Sequence, residues 1–235
     1  MDRQMPPDAR ARHPADLLEH VVTCGRHRGV QNGAVAVVAL AVIALWMVLV
    51  GAARTYLHVR ATGRRPVRFV DRLGTPQWWS RVIGTIGFVL LVLAPIAELV
   101  GLPPLAILDQ PLVRLGGLVV ALAGIAGIVV SQAVMGTAWR GDVDPETRTT
   151  LVTSGPFRWV RNPIFTASAV ASLGVALMVP NVVALAMLVA NVTVYQVQVR
   201  LVEEPYLNQV HGGAYQAYAK QTGRFVPWVG RGTRR

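Results

Sequence analysis

The residues able to do chemistry fall in two places. The first is the stretch Leu151-Val152-Thr153-Ser154-Gly155-Pro156-Phe157-Arg158-Trp159-Val160-Arg161-Asn162-Pro163-Ile164-Phe165, where two arginines precede an Asn-Pro pair and a long apolar run. Asn is a preferred N-cap and Pro is well tolerated at the first helical position, so the spacing predicts a helix that begins at Pro163 with Asn162 as its cap. The free N–H groups and positive dipole end of such a helix favour an anion, and Arg158 and Arg161 just before it strengthen that expectation. The second place is Gln196, Arg200, Glu203 and Glu204, spaced i, i+4, i+7 and i+8, which a regular helix carries on one face. Pro205 follows at once and is expected to end or redirect that helix, holding the carboxylates at its tip. Together these residues make a site for a charged small molecule.

The elements that must position them are membrane-length. Hydrophobic residues fill 53% of 235 positions and charged residues only 15%, too little polar surface for a water-soluble domain. Apolar runs at 33–53, 82–102 and 112–136 each approach the roughly 20 residues needed to cross a hydrocarbon core. The run 164–199 is of double length and is split by Pro180-Asn181 into helices of about 164–179 and 182–200, a tight helical hairpin. The expected fold is all-α and polytopic, with about five transmembrane helices. Residues 1–32 are expected to be a polar, partly disordered tail, 33–136 three transmembrane helices, and 137–235 a C-terminal region carrying the hairpin and an aqueous tail.

Arginine placement orients the chain. The loop with Arg54, Arg60, Arg64, Arg65, Arg68, Arg72 and Arg81 has only Asp71 in opposition, whereas the loop 103–111 has no basic residue. Positive loops stay inside, so the first is cytoplasmic, the second external, and the loop with Arg158 and Arg161 cytoplasmic again. The net charge of +11 is spread between apolar runs, which fits membrane flanks and excludes a nucleic-acid surface. Cys24 is the only cysteine, and the five histidines show no ligand spacing, so no metal is expected. Glu98 and Arg114, near the outer ends of two spans, are placed to pair across the bundle, and Gln132, Met135 and Trp139 to line the wall beside the site.

The C-terminal residues 132–228 resemble the integral-membrane isoprenylcysteine carboxyl methyltransferase family. The likeness rests on the Gly155-Pro156-Phe157 and Arg161-Asn162-Pro163-Ile164-Phe165 block, on Glu203-Glu204, on Gly212-Gly213-Ala214-Tyr215-Gln216-Ala217-Tyr218, and on Arg224-Phe225-Val226-Pro227. The resemblance implies S-adenosylmethionine as cofactor, held by Leu151, Val152, Phe157, Asn162, Pro163, Ile164, Phe165, Glu203 and Glu204. Phe157 and Phe165 would pack on adenine or ribose, Asn162 and Pro163 would stand at the methionine end, and Glu203 would take a polar or cationic group. Asn162 stands where the family has His, and Phe157 and Phe165 where it has Tyr. Asn donates a hydrogen bond but carries no proton, so acid–base chemistry at that position is lost while binding and alignment are not.

The function this implies is methyl transfer to a carboxylate, amine or hydroxyl of a lipophilic, isoprenoid-like acceptor that enters from the bilayer. Arg200 is the catalytic candidate, orienting an anionic acceptor group. The site is expected on the cytoplasmic face of a bacterial plasma membrane. An NADPH-dependent reductase of the sterol-reductase kind and a non-catalytic membrane scaffold are the alternatives, and the first would need more basic residues for a dinucleotide's phosphates.

Overall fold

The structure is a computed structural model that describes residues 14–63, 72–139 and 150–232, with side chains described from residue 29 onward. Helix α1, Pro14–Trp46, runs through a π-helical stretch, Met47–Ala53, into α2, Arg54–Thr62. Then come α3, Pro76–Leu99, α4, Pro111–Met135, α5, Pro163–Met178, and α6, Val182–Val197. A second π-helical stretch, Gln198–Glu203, leads into α7, Glu204–His211, and α8, Gly213–Gln221, closes the series. Among the described residues there is no strand, only an isolated bridge between Val160 and Gly223.

Among the described residues four helices are long and apolar enough to cross a membrane: Gly29–Thr62, Pro76–Leu99, Pro111–Ala138 and Val182–His211. The fifth expected span is α5, whose 16 residues reach only about 24 Å against a ~30 Å hydrocarbon core. The fold is the expected all-helical membrane bundle, with four full spans and one short helix. The expected break at Pro180-Asn181 is present, and Asn181 builds it from both ends. Its Oδ1 accepts from Ala184 N at 3.0 Å, capping α6, and its Nδ2 donates to Ala94 O of α3 at 2.9 Å. The two arms of that hairpin do not pack chiefly on each other: α5 lies along α4, and α6 along α3.

The α4–α5 seam explains why α5 holds its place without spanning. Lipid supplies no hydrophobic drive between helices, so association depends on close packing of small residues. A Cβ on Gly124 would stand 2.4 Å from Ala171 N, and one on Gly174 would stand 2.2 Å from Ala121 N, so the backbones touch where both lack side chains. Ala121, Ile125, Ile128, Ala171 and Val175 complete the buried core there.

Two expectations about the chain's course are corrected. The polar tail expected to reach residue 32 is helical from Pro14, and its residues 1–13 lie outside the described residues. Pro205 does not end its helix. The chain widens to π-helical geometry just before it and continues as α7, with Pro205 in the first turn, where a missing N–H costs no regular helical bond. The loop residues Arg64, Arg65, Arg68 and Asp71 lie outside the described residues, while Arg54 and Arg60 lie on α2 rather than in a loop.

Candidate functional site

Local sequence builds the first half of the site. Pro156 opens a short 3-10 turn, Gly155–Arg158, that packs on α4, with Phe157 buried and Arg158 and Trp159 exposed. The Arg158 guanidinium lies over the Trp159 ring, 5.4 Å from its centroid. Val160 pairs with Gly223, and Arg161 and Asn162 then turn the chain into α5, which Pro163 begins as expected. Asn162 occupies the capping position, but its side chain makes no cap bond. Its Nδ2 donates instead to Arg224 O at 3.1 Å, and its backbone N donates to the same oxygen at 3.2 Å. The C-terminal tail has displaced the capping role.

Arg161 ties everything together. A guanidinium offers five N–H donors in a fixed fork, and each has a partner here. Nε and Nη2 donate to Glu204 Oε1 at 3.2 and 2.8 Å. Nη1 donates to Ala219 O at 3.0 Å and Thr222 O at 2.5 Å, and Nη2 also donates to Gly230 O at 3.0 Å. The expectation that Arg161 helps form an open anion pocket is therefore corrected: its donors are consumed by Glu204 and the tail. Arg158 remains exposed.

Glu204 is equally committed. Besides Arg161 it accepts from Arg224, whose Nε reaches Oε1 at 2.9 Å and whose Nη2 reaches Oε2 at 2.8 Å. The hydrogen bonds to Glu204 raise the Arg224 guanidinium above its ordinary value. Two arginines thus share one carboxylate at the start of α7, fixing the tail onto the start of α5. Around this knot Tyr218 OH donates to Phe157 O at 2.6 Å, and Thr166 Oγ1 donates to Phe225 O at 2.8 Å. Gly223 is required by close approach, because a Cβ there would meet Val226 O at 2.0 Å.

Glu203 is the carboxylate that the knot leaves over. It is half-buried, and its recorded contact is with Gln198 Nε2, which donates to Oε1 at 3.3 Å. Arg200 is exposed and donates from Nε to Gln196 Oε1 at 2.7 Å. The expected single face of Gln196, Arg200, Glu203 and Glu204 is therefore divided. The wider π turn across Gln198–Glu203 alters the regular spacing, pairing Gln198 with Glu203 five residues on while Glu204 turns to the tail.

The remaining candidates take varied positions. Leu151 and Val152 are half-buried in the segment leading to the 3-10 turn, and Pro163 is buried. Ile164 packs against the apolar core, and Phe165 packs on Tyr195 of α6 at 5.4 Å between centroids. Sequence reasoning missed a neighbouring cluster. Arg54 stands 5.1 Å over the buried Trp139 ring and donates to Gly136 O, with His58 edge-on to the same ring at 5.9 Å. Gln132 Nε2 donates to Val50 O in the first π-helical stretch at 3.3 Å, tying α4 to that stretch. Arg54 had no distinguishing signal, being one of seven arginines in a row of positive charge.

Among the described residues no group of His, Cys, Asp or Glu could hold a metal ion.

Residues 112–214 match the family model for phospholipid methyltransferases. No curated protein matches the sequence. Among solved structures the chain is similar to the eukaryotic intramembrane Ras methyltransferase ICMT, isoprenylcysteine carboxyl methyltransferase, with a TM-score of 0.53 and 18% identity, over 83% of this chain and 69% of that one. At that identity the likeness is one of fold. The family match, over less than half of the chain, and the match in fold both agree with the resemblance drawn from the motifs.

Proposed function

We propose that this chain transfers a methyl group from S-adenosylmethionine to a polar group on a lipophilic acceptor that reaches the site from the bilayer. The observation that carries the proposal is the meeting of two distant segments: the residues before Pro163 and the carboxylate pair where the second π-helical stretch passes into α7 are joined by Arg161 and Glu204 at 2.8 Å. That junction leaves Glu203 half-buried beside them, with one long contact at 3.3 Å and capacity to accept more.

The residues present fit the cofactor's chemistry. S-adenosylmethionine, when bound, supplies an electrophilic methyl group on a cationic sulfonium, with an ammonium and a carboxylate on its methionine end. Glu203 would accept from the ammonium or a ribose hydroxyl, and Arg158, unpaired with any acid among the described residues, would meet the carboxylate. Leu151, Val152 and Phe165 would supply apolar walls.

Arg200, exposed on α6's continuation, would orient an anionic head group arriving from lipid. Methyl transfer to an ionised carboxylate needs alignment more than a base. Asn162 holds no transferable proton, which favours an acceptor that is already ionised. The site would face the cytoplasm, where the cofactor is available. The test is binding of radiolabelled S-adenosylmethionine and of NADPH to detergent-purified protein. Retention of the first and not the second supports the proposal; the reverse favours a reductase, and retention of neither favours a scaffold.

A further inference from the structure

At the opposite end of α4 a second polar cluster lies inside the bundle. Arg114, only 4% exposed, places Nη2 and Nε on Asp109 Oδ1 at 2.8 and 3.0 Å, and its Nη1 donates to Met178 O at 2.7 Å. That same Nη1 stands 2.7 Å from Glu98 Oε1. Glu98 thus has a charge contact to this nitrogen, and both of its oxygens are buried without a hydrogen bond of good geometry. The Glu98 side chain is 3% exposed. Asn32 Nδ2 adds a contact to Asp109 Oδ1 at 3.4 Å. All three donors to Asp109 thus fall on one oxygen.

The charges do not balance. Two carboxylates face one guanidinium, and among the described residues no second cation joins them. An excess buried negative charge is costly unless it is paired. Beside the cluster, between α1 and α4, opens a cavity of about 470 Å³ with Asn32, Asp109 and Arg114 at its polar end and Val35, Val38 and Leu118 along its wall. The 25 residues of α4 put this cavity about 37 Å of helix away from the turn that carries Gly155.

We propose that this cavity binds an amphiphile with an ammonium head, the head at Asp109 and the alkyl chain between α1 and α4. The ammonium would supply the missing positive charge, and the free Asp109 oxygen would accept from it. The walls are apolar, so a chain is required and a bare small cation would leave them unfilled. An anionic head would add a second unpaired negative charge and is excluded by the same count. None of these residues belongs to the proposed methyl-transfer site, so either proposal can fail without the other.

Native mass spectrometry of the full chain in a nonionic detergent tests this, comparing hexadecylammonium, whose head keeps its N–H donors, with hexadecyl phosphate at equal concentration. The ammonium adduct is expected to be at least fivefold the more abundant. Asp109→Asn should bring the two to parity, and Leu118→Trp, which fills the cavity and keeps every charge, should lower the ammonium adduct by a similar factor. Circular dichroism checks that each variant folds, and Leu118→Trp decides alone if Asp109→Asn does not. Equal adducts in the wild-type chain, or wild-type retention in a folded variant, overturns the proposal.

Discussion

Arg161 and Glu204, 43 residues apart in sequence, meet at 2.8 Å where α5 begins and α6 gives way to α7. Arg224 closes on the same carboxylate from the tail. The junction separates the two adjacent glutamates into different jobs, and that separation is open to experiment.

Glu204→Gln should destabilise the protein strongly. It leaves Arg161, with a side chain 4% exposed, facing a neutral amide, and breaking one partner of a buried pair costs about 3–5 kcal/mol. Half of the Glu204 side chain's contacts are with the more exposed Arg224, so the lower end of that range is expected. Thermal unfolding in detergent measures it, and an unchanged midpoint would show that the knot is dispensable.

Glu203→Gln should do the opposite. Size and helix propensity are kept, so the midpoint should hold, while affinity for S-adenosylmethionine should fall about tenfold or more, the scale of a lost charge-assisted hydrogen bond. Isothermal titration on both glutamate variants reads this directly. Affinity within twofold of wild type for Glu203→Gln removes that residue from the proposed site.

Asn162→Ala should lose the hydrogen bond to Arg224 O and about 0.5–1.5 kcal/mol of stability. Because its Nδ2 is engaged by the tail, cofactor affinity should drop less than in Glu203→Gln. A larger drop in affinity than in stability would return Asn162 to a direct binding role.

Gly223→Ala should release the tail, since its Cβ would fall 2.0 Å from Val226 O and backbone there must shift. Faster proteolysis beyond Gln221, with the spans intact, is the expected result. Wild-type resistance would mean that the turn absorbs the methyl group.

Alkaline pH should loosen the same region. Burial first, and then the charge of Glu204, push the Tyr215 hydroxyl up to about 12 from an ordinary 10.0. With the folded-state value raised, this phenol's contribution is complete below about pH 10 and is lost as pH climbs toward 12, because across that window the unfolded chain ionises first. Tyr215→Phe should flatten the fall of the unfolding midpoint over that window. Identical slopes for the two proteins would rule the residue out as the cause.

Much of the bundle was legible in the residues. Apolar run lengths predicted the membrane helices, because a helix satisfies every backbone group within its own segment and so lets a single apolar run of about 20 residues cross a hydrocarbon core. Pro180-Asn181 marked its turn and Asn162-Pro163 its helix start through local chemistry alone. What local chemistry did not reveal was partner choice. Arg161 read as an anion-binding residue and is instead saturated by Glu204, Ala219, Thr222 and Gly230. Asn162 read as a cap and is instead a tether for the tail.

The sequence by itself determined that this is an all-helical membrane protein with its polar chemistry gathered near Arg161 and Glu203-Glu204, because composition, run length and turn residues act over a few neighbours. Only the tertiary structure decided which glutamate is tied and which is left. That outcome depends on a tail some twenty residues further on, Arg224 being 20 positions from Glu204, and on a π-helical stretch that changes the angular spacing of Gln198–Glu203. A side chain's partner is set by what the folded chain brings within about 3 Å, and hydrogen bonds at that range are not encoded in spacing along one helix.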